Sequence, residues 1–153
     1  MTHLQPYDEV FPITAEFLRN SKTWKSHNWD EFELWKPQKK QNEGFDFHTV
    51  CSNEFINFGE AKYSGSTNPH GNAINQSKGF VDDQKHLRDY VHLRALASEA
   101  AVENLNNDSF GIVASFSINT EDPFKILKNA IESAQEKLNL DSIKAVYLVG
   151  VSQ

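Results

Sequence analysis

Three ionisable residues, Asp46, Glu60 and Lys62, have the types and spacing needed to bind a divalent metal and hydrolyse a phosphodiester. Two carboxylates supply the hard oxygen ligands that Mg²⁺ prefers. A bound metal activates water and neutralises charge on the phosphate, and a nearby lysine can steer the nucleophile or support the transition state. Glu60 and Lys62 are two residues apart, so in a β-strand they share one face while Ala61 takes the other.

The stretch over residues 44–65 predicts a β-hairpin that brings these side chains together. Two alternating apolar runs flank a polar break at residues 51–53, which is typical of a roughly three-residue loop with Asn53 available for the left-handed position. With an odd number of loop residues, the register puts Asp46 on the face of Glu60, across the ladder from Phe58 or from Glu60 itself. The acid, the second acid and the lysine then converge at one point.

The same residues have a second interpretation, a cross-strand salt bridge on a solvated face. Ile56 and Phe58 would occupy that face too. Burying several charges beside them without a metal is costly. The pattern therefore favours a metal site over a surface salt bridge.

Length and composition predict one globular domain over residues 1–153. The chain is 39% hydrophobic and contains 3 Trp, 4 Tyr and 11 Phe, enough for a packed core. No apolar run has the length of a membrane span, and residues 1–20 do not resemble a signal peptide, so no membrane partner is expected. The single Cys51 excludes an internal disulfide and fits the cytoplasm. It is a loop residue, a reactive thiol or a metal ligand with His48.

The net charge of −6 argues against a protein whose main role is to coat nucleic acid. An enzyme with a local basic strip and a metal ion remains compatible with that charge. Residues 22–42, where lysines alternate with Trp24, Trp29 and Trp35, leave two interpretations open. They form either a nucleic-acid surface, with lysines on phosphates and an aromatic ring on a base, or an irregular first strand whose aromatic residues fill the core.

The hydrophobic pattern predicts an α/β fold in which a mixed β-sheet is flanked by helices. The chain stops directly after a buried strand, so it is either a compact minimal domain or the N-terminal part of a longer protein. The predicted elements are a short helix from Thr14, an irregular strand within 29–35, the hairpin, a loop over 64–78, a long helix over 79–105, a strand over 109–118, a helix over 122–138 and a strand over 143–151.

On the predicted long helix, Leu87 and Val91 lie on one apolar stripe, and Gln84 falls one turn before Leu87. Gln84 is expected to orient a water or a phosphate at the site, or to be a hydrogen-bonded polar residue at the core edge. His86 and His92 are six residues apart and do not align as a metal pair, so surface positions are expected for both.

The order of elements and the charged residues resemble the PD-(D/E)XK nuclease superfamily, the restriction-endonuclease-like fold. Its core is αβββαβ, with an acid on the second strand and a (D/E)-x-K motif on the third. Residues 44–46 (Gly-Phe-Asp) match the first motif and residues 59–62 (Gly-Glu-Ala-Lys) the second. The resemblance covers roughly residues 14–118, with the last helix and strand as an extension. Phe45 stands where the family pattern has a proline.

The resemblance implies a Mg²⁺- or Mn²⁺-dependent nuclease that cuts DNA in restriction, phage defence, repair or a toxin system. RNA as the substrate and a homodimer stay open. Asp46 and Glu60 would bind the metal, the Ala61 carbonyl would complete the coordination, and Lys62 would assist the attacking water. Many members add a glutamate from the first helix and a glutamine from the helix after the third strand. The candidates for these two roles are Glu16 or Glu43, and Gln84 or Gln76.

Two other functions compete with cleavage. One is a catalytically inactive nuclease-like domain that serves as a nucleic-acid or protein binding module, which the acidic charge fits. The other is an α/β domain that binds a small ligand or a protein through the 64–78 segment.

Overall fold

A mixed β-sheet lies at the centre of the structure, a computed structural model that describes residues 30–31, 44–63 and 68–152. Within these residues the sheet has five strands in the order β1-β2-β3-β4-β5. β2 is antiparallel to β1 and β3, whereas β3, β4 and β5 are parallel. The strands are β1 (Asp30–Glu31), β2 (Phe47–Val50), β3 (Ile56–Lys62), β4 (Phe110–Ile118) and β5 (Ile143–Ser152).

The predicted α/β fold, with helices flanking a mixed sheet, is confirmed. The irregular first strand is seen as the two residues of β1, which pair with the end of β2. The helix predicted from Thr14 and the rest of the Lys- and Trp-containing stretch over 22–42 lie outside the described residues.

The hairpin of β2 and β3 has the predicted odd-numbered loop. The Cys51 N–H donates to the Phe55 carbonyl at 3.1 Å and leaves three residues, 52–54, in the turn. The left-handed residue is Glu54, with φ of 58°, so the prediction of Asn53 at that position was wrong. An odd loop puts the even-numbered residues of both strands on one face, as the pairing of His48 with Phe58 shows.

Contacts from a distant part of the chain explain the left-handed Glu54. Its carboxylate Oε2 accepts a hydrogen bond from Ser98 Oγ at 2.5 Å, and its carbonyl accepts one from Asn104 Nδ2 at 2.8 Å. These bonds offset the cost of a left-handed conformation for a residue with a side chain.

The predicted loop over 64–78 is wrong, because most of it is helical. Helix α1 spans Pro69–Asp82, and the Asn68 side chain accepts a hydrogen bond from the Gly71 N–H at 3.1 Å. Asn68 is therefore the N-cap, and Pro69 occupies the first helical position, where its missing N–H costs nothing.

The predicted long helix over 79–105 is also wrong. Helix α1 starts earlier than predicted and ends at Asp82. Three separate helical segments follow it: a 3-10 helix (Lys85–Leu87), α2 (Tyr90–Leu96) and α3 (Glu99–Asn106). Ala97 is extended, and the Ser98 hydroxyl caps α3 by accepting from the Ala101 N–H at 3.2 Å.

The breaks in this region change which residues are buried. Leu87 and Val91 were predicted to face the core, yet both are exposed. Leu93, Ala101 and Leu105 are buried in their place. The prediction assumed one continuous helix, in which residues at helical spacing share a face. The turns between the short helices interrupt that spacing, so the residues no longer lie on one face.

The bounds of the C-terminal elements follow the prediction, but the predicted burial of the last strand was wrong. β5 is the edge strand of the described sheet, and only Ile143 and Leu148 of its described side chains are buried. β4 is buried along almost its whole length, as expected for a strand covered on both faces.

Helix α4 spans Pro123–Lys137, and the Asp122 carboxylate caps it by accepting from the Lys125 N–H at 3.0 Å. Ala130 and Ala134 on this helix are buried.

An aromatic cluster under the hairpin supports the sheet. The Phe58 ring lies 5.3 Å from Phe45, 5.6 Å from Phe110 and 5.1 Å from His48, measured between ring centroids. Phe58 meets Phe110 and His48 edge to face and Phe45 at a tilt of 47°, and aromatic contacts at these distances add to the free energy gained from burial. The cluster contains the side chain of Phe58, two residues before Glu60 on the same face of β3.

Gly111 on β4 is required for close packing. A Cβ atom there would lie 1.9 Å from Oδ1 of Asn57. The Asn57 side chain is fully buried, and its Nδ2 donates a hydrogen bond to Thr49 Oγ1. We expect Gly111→Ala to lower the free energy of unfolding by about 1–3 kcal/mol, measured by urea denaturation.

Gly79 is the matched control, because a Cβ on this residue of α1 meets no described atom within 4 Å. Gly79→Ala is expected to raise the stability by about 0.5–1 kcal/mol, since alanine is the better helix former. Equal effects of the two substitutions would show that the contact at Gly111 is unimportant.

Candidate metal centre

The three charged residues meet at one edge of the sheet. Glu60 and Lys62 lie at the carboxyl end of β3, and Asp46 directly precedes β2. Because β2 and β3 are antiparallel, the start of one lies beside the end of the other. The carboxyl ends of parallel strands are where ligands bind in open α/β sheets.

Asp46 is held against β3 by two hydrogen bonds. Its backbone N–H donates to the Gly59 carbonyl at 2.8 Å, and its carboxylate Oδ2 accepts from the Ala61 N–H at 2.9 Å. The carboxylate thus continues the hydrogen bonding of the ladder beyond the paired residues Phe47 and Gly59. One oxygen of Asp46 is oriented by the backbone of the residue between Glu60 and Lys62.

Glu60 is fully buried, with 0% of its surface exposed. Its Oε1 forms an ion pair with Lys62 Nζ, whereas its Oε2 has no hydrogen-bond partner among the residues that the structure describes. The pKa of Glu60 is raised from 4.5 to about 7, chiefly by burial and in addition by the charge on Asp46, while Lys62 acts in the opposite direction. Desolvation of the carboxylate is therefore only partly offset by Lys62.

An unpartnered buried carboxylate oxygen carries a large desolvation cost, which a cation can remove. The carboxylates of Asp46 and Glu60, with the backbone carbonyl of Ala61, would supply oxygen donors only, which suits Mg²⁺ or Mn²⁺. Mg²⁺ is commonly held by one or two carboxylates, with water and substrate phosphate filling the remaining positions. The residues present therefore fit a divalent cation.

Side-chain ligands beyond these two acids are not seen in the described part of the chain, where no three His, Cys, Asp or Glu side chains are grouped so as to hold a metal ion. Glu16 and Glu43, the candidates for a further acidic ligand, lie outside the described residues. A third side chain on the metal therefore stays a prediction.

The structure does not bring Gln84 to this site. Gln84 is exposed, has φ of 54°, and lies in the turn after α1. It lines a cavity of about 430 Å³ with Asp108, two residues before the amino end of β4, and Ser142, which directly precedes β5. Lys62 is at the opposite, carboxyl end of β3. Gln76, the other candidate, is half-buried in the middle of α1.

Two buried histidines near the hairpin were not predicted as such. His48 Nε2 lies 3.1 Å from Asp89 Oδ2, and the His48 ring is 1% exposed. His86 is also buried, packed against Phe110 with ring centroids 4.5 Å apart, so its predicted surface position was wrong. The partner of His48 lies 41 positions away in the sequence, and no local pattern indicates such a pairing.

Cys51 is a buried residue at the start of the hairpin turn. Cys51 interacts with Tyr147, whose pKa is raised to about 12, mainly by burial and further by Cys51. His48 faces Asp89 instead of Cys51, so the structure gives no support to a metal site made by Cys51 and His48.

Comparisons with protein-family models, curated proteins and solved structures find no match. Among the described residues, no helix is both long and apolar enough to cross a membrane.

Proposed function

We propose that this protein is a metal-dependent nuclease that hydrolyses phosphodiester bonds of DNA. The observation that carries the proposal is the convergence of Asp46, Glu60 and Lys62 at the carboxyl end of β3, where Glu60 is buried and one of its oxygens has no hydrogen-bond partner in the described part of the chain. Lys62 pairs with the buried Glu60, and the charge of Asp46, which is exposed, raises the pKa of Glu60, so the lysine compensates the two acids only in part.

Asp46 and Glu60 hold Mg²⁺ or Mn²⁺ in this proposal, together with the Ala61 carbonyl. When bound, the ion supplies positive charge that activates water and compensates the charge on the phosphate. The hydrogen bond from the Ala61 N–H orients the Asp46 carboxylate. Lys62, released from Glu60, orients the attacking water and donates hydrogen bonds to the phosphate oxygens.

The PD-(D/E)XK assignment is part of the same proposal. The acid beside the second strand, the Glu-x-Lys motif on the third strand and the crossover helix α1 agree with the order that the resemblance implies. DNA is the favoured substrate because most roles of that superfamily concern DNA. We place the protein in the cytoplasm, a reducing compartment that fits its single cysteine.

Replacing Asp46 with asparagine tests the proposal. Asparagine keeps the size and an oxygen acceptor but removes a charge from the metal site, so metal-dependent cleavage of plasmid or linear DNA is expected to fall by at least about 100-fold. Asp82→Asn is the matched control, because Asp82 is an exposed aspartate paired with Lys78 on α1. Cleavage that persists in EDTA or in Asp46→Asn contradicts the proposal.

A catalytically inactive binding module is the second candidate. The observation that favours it is the ion pair of Lys62 with Glu60, which occupies a carboxylate oxygen that a metal would need. The net charge of −6 fits a protein-binding role as well. This candidate requires that the folded protein give no calorimetric heat when Mn²⁺ is added.

A further inference from the structure

Two exposed aromatic rings lie at the same edge of the sheet as the candidate metal centre. Tyr63 follows Lys62 directly and is 74% exposed, the highest value among the large apolar side chains of the described residues. Phe124, in the first turn of α4, is 55% exposed. β3 and β4 are parallel, so the segments that follow their carboxyl ends, Tyr63 and the start of α4, lie along one edge.

A single exposed apolar side chain is ordinary on a protein surface. These two differ from that case by their position. The other large apolar residues exposed in the described ranges are aliphatic, and three of the four lie between β3 and β4 in the 3-10 helix and α2. The aromatic ones are confined to the edge that carries Glu60 and Lys62.

The charge of this edge shows why aromatic rings would be useful there. Lys62 and Lys125 are accompanied by Asp46, Glu121 and Asp122, so the described lysines do not outnumber the acids. The whole chain has a net charge of −6. At this edge, affinity for a polyanion therefore gains from a contribution that does not depend on neutralising phosphates.

Stacking of an aromatic ring on a nucleobase supplies such a contribution and tolerates any base. In a double helix the faces of the bases are covered by their neighbours, so only unpaired bases offer a free face. An exposed ring beside a phosphate-cleaving site therefore selects for unpaired nucleotides.

We infer that Tyr63 and Phe124 stack on unpaired bases next to the phosphate held at Asp46 and Glu60, so that the preferred substrate is single-stranded or frayed nucleic acid. This inference rests on the proposed nuclease function and adds the substrate class. Tyr63 is the main contact, since it adjoins Lys62 in the chain and is the more exposed ring.

The test measures binding of fluorescent oligonucleotides about 12 nucleotides long, single- and double-stranded, to the full chain with Mn²⁺. All variants carry Lys62→Met, which prevents cleavage during the measurement. Tyr63→Ala is expected to weaken single-strand binding about 5- to 150-fold, whereas Tyr63→Phe keeps the ring and changes it less than about twofold. Phe124→Ala is expected to give a smaller loss.

Val91→Ala is the matched control, because Val91 is 60% exposed on α2, away from this edge. Binding of the duplex is expected to change little in every variant. Unchanged single-strand binding in Tyr63→Ala overturns the inference, and so does an equal loss for single strand and duplex.

Cleavage assays without the Lys62→Met background separate this inference from the proposed function. If Asp46→Asn abolishes cleavage while Tyr63→Ala cuts single strands as the wild type does, the stacking inference is wrong and the proposed nuclease site stands. If cleavage persists in Asp46→Asn, the nuclease site itself is wrong.

Discussion

Replacing Lys62 with methionine is expected to slow DNA cleavage by about 100- to 10,000-fold while Mn²⁺ still binds. Lys62 Nζ contacts Glu60 in the structure, and a protonated ammonium has no lone pair with which to hold a metal. Methionine retains a flexible, unbranched stem of similar length, so packing along β3 is kept. Cleavage and metal binding therefore separate in this variant, whereas Asp46→Asn loses both.

Lys78→Met is the control for this substitution. Lys78 also forms an ion pair with a carboxylate, Asp82, and its side chain is 31% exposed, against 30% for Lys62. It lies on α1, so cleavage should stay at the wild-type rate. Because Lys62 lowers the pKa of Glu60, Mn²⁺ binding is best compared at about pH 8.5, where Glu60 is ionised. Wild-type cleavage by Lys62→Met would exclude a catalytic role for this lysine.

Glu60→Gln is expected to stabilise the protein at pH 8, with an effect that disappears in acid. The pKa of Glu60 is raised from 4.5 to about 7 on folding, chiefly by burial. The folded state therefore holds the proton more tightly than the unfolded state, and stability falls as the pH rises from 4.5 to about 7. One pKa unit corresponds to about 1.4 kcal/mol, so the loss reaches up to about 3 kcal/mol. Glutamine resembles the neutral acid and avoids this loss.

Urea denaturation of wild type and Glu60→Gln at pH 4.5 and at about pH 8 measures the effect. The difference in unfolding free energy between the two proteins should grow by up to about 3 kcal/mol towards high pH. Glu132→Gln is the control, since Glu132 is 63% exposed and pairs with Lys128 on the surface of α4. If the unfolding free energies of wild type and Glu60→Gln change with pH in parallel, the pKa of Glu60 is not raised on folding.

Local sequence patterns were sufficient to predict the strands and their relation to the charged residues. Alternation placed Glu60 and Lys62 on one face, and the length of the hairpin loop determined which residues of β2 join them. β4 and β5 are long apolar runs with turn residues at each end, a pattern that few other elements produce. The ladder and the positions of β4 and β5 in the chain therefore follow from short-range information, whereas the apolar run of β5 did not reveal that it lies at the edge of the described sheet.

The helices show where such information is ambiguous. Asn68-Pro69 and Asp122-Pro123 carry the same start signal, an N-cap residue followed by proline. The second was recognised because a clear apolar periodicity follows it. The first lies in a stretch of small and polar residues that is typical of a loop, and the apolar residues of α1 are too few to reveal its period. The displaced start explains why Gln84 was assigned to the wrong surface.

Features that depend on distant contacts could not be predicted. The hydrogen bond from the Ala61 N–H to Asp46 requires a side chain to take over where the ladder of β2 and β3 ends. Complete burial of Glu60 depends on packing around both strands, and the contact of His48 with Asp89 spans the hairpin and the turn before α2. Periodicity reports which face a residue occupies, but not what covers that face.

Anomalous diffraction from a crystal soaked in Mn²⁺ is the most direct test of the metal site. The expected result is one peak about 2.1 Å from carboxylate oxygens of both Asp46 and Glu60, with Lys62 Nζ displaced from Glu60. A map with no peak between the two acids, and with Lys62 still paired to Glu60, would contradict the metal site and leave the ion pair as the role of these residues.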